Sequence, residues 1–275
     1  MKKINLRTII GSGILAMFIL IGLCAPWITS YDPKATMLEE RFSPPSHIHW
    51  LGQDKLGSDI WSKIIYGARI SLVVSCLSTL FALIIGLCLG SAAGYFGSWV
   101  EELIMRCVDI LLAFPGLLLI FALAAFLKPS LINLILIFSL VGWTGFARVA
   151  RSQVLVEKEK DFVLAAHSLG AGHFYILIRH IWPNILAPLM IQASFFMGGV
   201  IIGESSLSFL GVGVPPDAPS WGNMLNLAKQ SAFQPGFVAI FPGLAIMLIV
   251  LGFNFIGDGL RDLLDPKMKH SQKMI

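Results

Sequence analysis

The chain has 275 residues, 56% of them hydrophobic and only 13% charged, with a mean hydropathy of +0.79. A soluble domain carries about a quarter charged residues, and unpaired charge is costly in hydrocarbon, so this composition excludes a water-soluble enzyme and predicts one integral membrane domain. The net charge of +4 calls for no nucleic acid, because lysine and arginine collect on one side of the predicted spans.

Crossing the apolar core of a bilayer takes about 20 helical residues. By that measure six spans are predicted, over 9–27, 71–94, 103–127, 131–147, 187–212 and 237–256. The first follows MKKINLR and ends near Trp27, an aromatic suited to the membrane interface. Its length, and an exit without a small-x-small pattern, predict an uncleaved span rather than a secretory signal. An even number of spans puts both termini on one face. With the termini inside, thirteen Lys and Arg fall on the inner face and seven on the outer, which predicts that both termini are cytoplasmic.

The outer segment, 28–70, contains HWLGQDKLGSDIWSKIIYGARISL. Ser58 or Asp59 is suited to cap an interfacial helix lying before the second span, with Asp59 and Lys63 paired four residues apart. Asp59, Trp61 and Arg69 are expected to form a structural platform without an enclosed pocket. The second span ends GLCLGSAAGYFG, whose small side chains suit close helix approach in lipid.

In the third span Pro115 predicts a kink. Asp109, near the inner interface, is expected to pair with Arg106, with a transport role as the alternative. The fifth span carries Glu204 and Ser205. An intramembrane carboxylate is a candidate for a translocation path or gate, against a hydrogen bond across a helix or subunit interface.

Several chemistries are absent. There is no G-x-x-x-x-G-K-[ST] phosphate loop, no H-E-x-x-H and no G-x-S-x-G, so no catalytic residues are predicted and any pumping must be driven by a partner. Cys24, Cys76, Cys88 and Cys107 lie in apolar stretches without a C-x-x-C spacing and suit small buried positions better than a metal. His167, His173 and His180 are six and seven residues apart, so no two stand one helical turn apart, and no metal site is expected.

The stretch DFVLAAHSLGAGHFYILIRHIWP, 161–183, interrupts the oily sequence on the inner side. Two short helices are predicted. Asp161 caps the first, which shares Phe162, Ala165, Ala166 and Leu169 on one face. Gly170 or Gly172 supplies a left-handed turn. The second helix carries Phe174, Leu177, Ile178 and Ile181 on a face and stops at Pro183. Such a pair suits docking by another protein better than resting on headgroups, which would leave the glycines without a purpose.

Here the sequence resembles the cytoplasmic coupling loop of binding-protein-dependent ABC importer permeases, whose pattern is Glu-Ala-Ala, three residues, Gly, nine residues, Ile-x-Leu-Pro. Ala165, Ala166, Gly170 and Pro183 fit it; Leu164 replaces the Glu, and His180 and Trp182 replace the Ile and Leu. WLGQDKLGSDIWSKIIYGARISL, ESSLSFLGVGVPPDAPSWGNML and FPGLAIMLIVLGFNFIGDGLRDLLDP are similar to the second-subunit permeases of dipeptide, oligopeptide and nickel systems. Gln53, Ser58 and Lys63 stand where that family has Thr, Arg and Arg.

The resemblance covers nearly the whole chain. It implies an all-α, six-span type I permease with an N-terminal span and outer segment over 1–70 and a five-span core over 71–275, its coupling loop near 148–187. It also implies a homologous permease partner, two cytoplasmic ATP-binding subunits that use ATP and Mg, and an extracytoplasmic substrate-binding protein. No cofactor is expected on this chain. Peptide is the expected cargo, nickel or a metal chelate the alternative. A secondary transporter or an embedded hydrolase would need midplane ion-coupling groups, or a nucleophile and base, that the sequence does not display.

Overall fold

The computed structural model describes residues 6–230 and 235–264. Lys2, Lys3, Lys267, Lys269 and Lys273, five of the residues behind the expected orientation, lie outside the described residues. Those described form α-helices joined by turns, with no β-strand among them. In chain order they are α1 (Leu6–Leu23), α2 (Ala25–Ile28), α3 (Ile60–Phe96), α4 (Ser98–Leu112), α5 (Gly116–Phe126), α6 (Leu131–Glu157), α7 (Asp161–Ser168), α8 (His173–Ile176), α9 (Trp182–Phe209), α10 (Trp221–Lys229) and α11 (Phe237–Leu264).

Five stretches among the described residues are individually long and apolar enough to cross a membrane: α1, α3, α6, the run from His173 to Phe209, and α11. A sixth candidate is the pair α4 and α5 taken together. The third predicted span is not one kinked helix, because α4 and α5 meet at 83° across a short break. Pro115 is the N-cap of α5, where the donor it lacks would have had no helical partner anyway. Proline therefore separates two helices here instead of bending one.

The second predicted span is also longer than expected. Asp59 caps α3, its Oδ2 accepting from the Ser62 N–H at 2.8 Å and from the Ser62 hydroxyl at 2.8 Å. From there α3 runs 37 residues without a break. At 1.5 Å per residue that is about 55 Å, longer than the ~45 Å of a bilayer with its headgroups. The expected interfacial helix and the second span are thus one rod, and a division at residue 70 would fall inside it. Lys63 does not pair with Asp59, since it donates to Asp54 at 2.5 Å. An ion pair within one helix gains a few tenths of a kcal/mol, and the outer loop offers Lys63 a buried carboxylate instead.

The main packing contact is between α3 and α6. Gly86, Gly90 and Gly94 repeat every four residues on one face of α3. A Cβ on Gly86 would collide with Phe146 and the Trp143 carbonyl, and one on Gly90 with the backbone of Ala147. At Gly94 it would lie 2.8 Å from the Arg151 carbonyl oxygen. Small residues permit this backbone approach where lipid supplies no hydrophobic drive between helices. A second such seam joins α1 to α11, where Gly11 meets Phe255 and Gly252 meets Leu15. The outward surfaces stay apolar, with Leu20, Leu117, Leu118 and Phe126 exposed, as expected of a protein with hydrocarbon as its solvent.

Gly90→Ala is expected to lower the thermal stability of the detergent-solubilised protein, because overpacking a tight seam costs about 1–3 kcal/mol. Gly13→Ala, where an added Cβ meets nothing within 4 Å, should melt like the wild type. Equal melting curves for both variants would show that the seam tolerates a wider helix spacing.

Candidate functional site

The inner loop turns one apolar face outward. Val163 of α7 is buried with Ile176, Leu177 and Ile181, in a cluster that includes Ala82 of α3 and Phe146 of α6. Of the first predicted face, Phe162, Ala165 and Leu169 are exposed and Ala166 is half-buried. Leu169 is 88% exposed and Phe174 76%. Leu164 is exposed beside them. The periodicity had found a real stripe, but the loop leaves most of it uncovered.

Two local expectations, for Asp161 and Pro183, need correction, and a third, the left-handed glycine, is narrowed to one residue. Asp161 does not cap α7: it is the first helical residue, and Lys160 occupies the cap position without a side-chain bond. Its carboxylate still lies at the positive end of the helix dipole. Gly170, and not Gly172, takes the left-handed conformation, with φ +82° against −67°. The Gly170 N–H donates to His167 and the Ala171 N–H to Ala166, at 2.9 and 3.1 Å, which closes the carbonyl end of α7. Nor does Pro183 stop the second helix. A π-helical turn, Leu177–Ile181, joins α8 to α9, and Pro183 sits in the first turn of α9. Proline is tolerated there for its preset φ.

Polar side chains hold this loop to the end of α3. The Trp182 indole N–H donates to Ser91 Oγ at 3.0 Å, Lys158 Nζ to the Gly94 carbonyl at 2.9 Å, and Tyr95 Oη lies 3.1 Å from His173 Nδ1. The His167 and His173 rings are 6.0 Å apart. No group of three or more potential metal ligands occurs among the described residues. Nearby, Asp109 pairs with Arg148 of α6 at 2.7 Å, whereas Arg106 pairs with Glu102 on its own helix. Arg151 pairs with Glu101. These charges line an open cleft of about 610 Å³ between α4 and α6.

Glu204 is fully buried. Ser208 Oγ donates to its Oε1 at 2.9 Å, and the Ser71 and Ser205 hydroxyls reach Oε2 at 3.3 and 3.4 Å. Ser208 Oγ in turn accepts from the Val214 N–H at 3.2 Å. The carboxyl group therefore ties α9 to α3 and to the outer turn beyond it. Glu204 has no surface of its own in this structure, whereas Ser205 both reaches its carboxylate and borders an open apolar cleft of about 430 Å³ with Ile202, Ser206 and Phe209. Ser71, 133 residues away in sequence, was the partner no local pattern could supply.

On the outer side, Asp59 Oδ1 lies 3.0 Å from His49 Nδ1, and the Trp61 and Trp50 rings are 5.4 Å apart. With Tyr31 and Ile48 they border a half-open cleft of about 310 Å³, which the sequence did not suggest. Arg69 is exposed, and its backbone lies where a Cβ on Gly22 of α1 would meet it, about 3.6 Å from that added atom. Lys34 and Asp217 form an exposed ion pair at 2.7 Å. Their mutual hydrogen bond raises the lysine pKa and lowers that of the aspartate.

With this geometry in view, comparison with known proteins decides the family. The family of the binding-protein-dependent transport system inner membrane component matches residues 86–270. The chain belongs to that family. Among similar proteins, the dipeptide transport system permease protein DppC of Alkalihalophilus pseudofirmus is 45% identical over 267 residues, covering 97% of this chain and 88% of that one. The glutathione transport system permease protein GsiD of Pectobacterium atrosepticum is 42% identical over 254 residues, covering 92% and 84%. The probable D,D-dipeptide permease DdpC of Escherichia coli is 37% identical over 267 residues, covering 97% and 90%.

The fold matches a chain of the inward-facing MetNI methionine ABC transporter with a TM-score of 0.61 at 17% identity, covering 75% of this chain and 98% of that one. This permease is accordingly a multi-pass inner-membrane subunit of a binding-protein-dependent ABC importer. Its family implies work with ATPase subunits and a binding protein.

Glu204→Leu is expected to destabilise the purified permease by about 3 kcal/mol or more, because each buried hydroxyl left without its partner costs about 1–3 kcal/mol. Glu204→Gln, which keeps an acceptor, should lose less. A thermal melt in detergent showing no loss for the leucine variant would mean that the serines find other partners.

Proposed function

We propose that this chain is one of two homologous permeases in an ATP-driven importer of di- and oligopeptides, with residues 161–183 as the element that receives its ATPases. The observation that carries this reading is the apolar face of the inner loop. Phe162, Leu164, Leu169 and Phe174 stand exposed on a short helical pair whose other side is packed against α3 and α6. An exposed patch of this kind, on a loop between two spans, suits a protein partner. The peptide cargo rests on the relatives, named for dipeptide, D,D-dipeptide and glutathione systems.

In this reading the loop faces the cytoplasm, so both termini do as well. Asp161, Leu164, Ala165, Ala166, Gly170, Gly172 and Pro183 build the docking element, and the outer segment with Asp59, Trp61 and Arg69 supports the extracytoplasmic binding protein. Glu204 and Ser205 hold a gate closed from within the chain without touching cargo. ATP and Mg act on the partner subunits, and hydrolysis is theirs. The ATPase dimer, open or closed, favours one of two loop positions, and each ligand shifts the permease by its differential affinity for the two states. The spans then rock against the partner permease and expose the central path to alternate sides.

Gly170→Val tests the docking element. A side chain in the left-handed region costs about 1–2 kcal/mol, and Gly13 of α1, outside the docking element and with nothing within 4 Å of an added Cβ, provides the control. Gly170→Val should leave the permease inserted but reduce ATPase recovery in pull-downs from membranes, or uncouple ATP turnover from uptake. Gly13→Val should do neither. Full recovery and normal peptide-stimulated hydrolysis with Gly170→Val would assign docking to another surface.

A further inference from the structure

The inner loop belongs in sequence to α6 and α9, yet side chains fix it to α3. The contacts of Ser91 with Trp182, of the Gly94 carbonyl with Lys158 and of Tyr95 with His173 lie within the last six residues of α3. The other end of the same helix is held as firmly. Asp59 caps it, the Trp221 indole N–H donates to the Ile64 carbonyl at 3.0 Å, and Ser71 reaches Glu204. Between the two ends runs an uninterrupted helix with no internal proline. Helix bends arise at proline, at Gly/Ser pairs, at π-bulges or where a side chain enters the backbone ladder. α3 carries one Gly/Ser pair, Gly90–Ser91, but Gly90 is packed tightly on Ala147 and the helix runs through the pair to Phe96. A displacement at the outer end therefore arrives at the inner end without being absorbed.

We propose that Ser91 and Tyr95 are positioning residues that make α3 the element through which events at the outer face set the orientation of the inner loop. This rests on the reading of 161–183 as the ATPase-docking element. Neither residue is part of the exposed apolar stripe: Ser91 is buried and reaches the loop through a half-buried indole, and Tyr95, half-buried, reaches it through the imidazole at the start of α8. Without them the loop would still fold, because Val163, Ile176 and Ile181 remain packed, but its hold on α3 would be reduced to that apolar packing and the Lys158–Gly94 contact.

The test uses the complete complex, reconstituted with its ATPases and binding protein, and the double variant Ser91→Ala, Tyr95→Phe. Both substitutions keep the packing and remove a hydroxyl. The expected result is full ATPase recovery and unchanged basal hydrolysis. The stimulation of hydrolysis by peptide-loaded binding protein should fall fivefold or more, since the double variant loses two hydrogen bonds and one alone weighs about fivefold in an equilibrium. Hydrogen exchange over 161–183 should accelerate, reporting the local loosening.

Wild-type stimulation with wild-type exchange would overturn the proposal, and so would loss of the ATPases, since the contacts would then serve docking instead of transmission. The Gly170→Val pull-down separates the two readings. If that variant docks normally, the docking assignment fails, while faster exchange in the double variant still reports whether α3 holds the loop.

Discussion

The close approach of α3 and α6 is the constraint on which the remaining structure depends. Gly86, Gly90 and Gly94 leave no room for a side chain, so these helices lie backbone to backbone along the C-terminal part of α3. That spacing brings Arg148 and Arg151 of α6 within reach of Asp109 and Glu101 on α4. It also sets the floor on which the inner loop rests, since Val163, Ile176 and Ile181 pack against both helices of the pair. A wider seam would leave the arginines without partners and the loop without support. The glycines are therefore not local conveniences, because the Arg148–Asp109 and Arg151–Glu101 pairs depend on the spacing they allow.

The polar groups are arranged by depth. At the ends of the long helices the exposed charges form ion pairs: Lys34 with Asp217 at one end, and Arg148 with Asp109 at the other. Such exposed pairs contribute little stability. Inside, where a lone charge is costly, Glu204 is met by serine hydroxyls from two helices. Lys63 and Asp54 fall between these cases, buried in the outer segment and paired at 2.5 Å. The outer loop closes on that pair, which explains why a lysine occupies a nearly inaccessible position.

Features with a local cause were legible in the sequence. Hydropathy located the spans because lipid contact acts on each residue separately, and Gly170 was one of two glycines predicted to take a left-handed turn because the end of α7 requires one there. Features that depend on distant partners were not. Asp109 had Arg106 one turn away and took Arg148, 39 residues on. Glu204 found Ser71. The unity of α3 was hidden for another reason: a hydropathy window sees only the part in hydrocarbon, while the polar first turns from Ile60 to Ile70 read as a separate interfacial piece. Pro183 is ambiguous in principle, since a proline after an apolar run is chemically the same at the end of one helix or in the first turn of the next.

Two kinds of glycine remain, and the contrast between them bears on function. At Gly86, Gly90 and Gly94 the backbone is ordinary helix and the space is filled. At Gly170 the space is open, with nothing within 4 Å of an added Cβ, and the backbone is left-handed. The first kind is held by packing within this chain, the second by the path of the chain alone. A turn that leaves empty space around itself, beside leucine and phenylalanine side chains turned to solvent, is formed but unfilled. The loop thus has the shape of half an interface, rigid on the side that α3 and α6 support and bare on the side where a partner's surface would complete it.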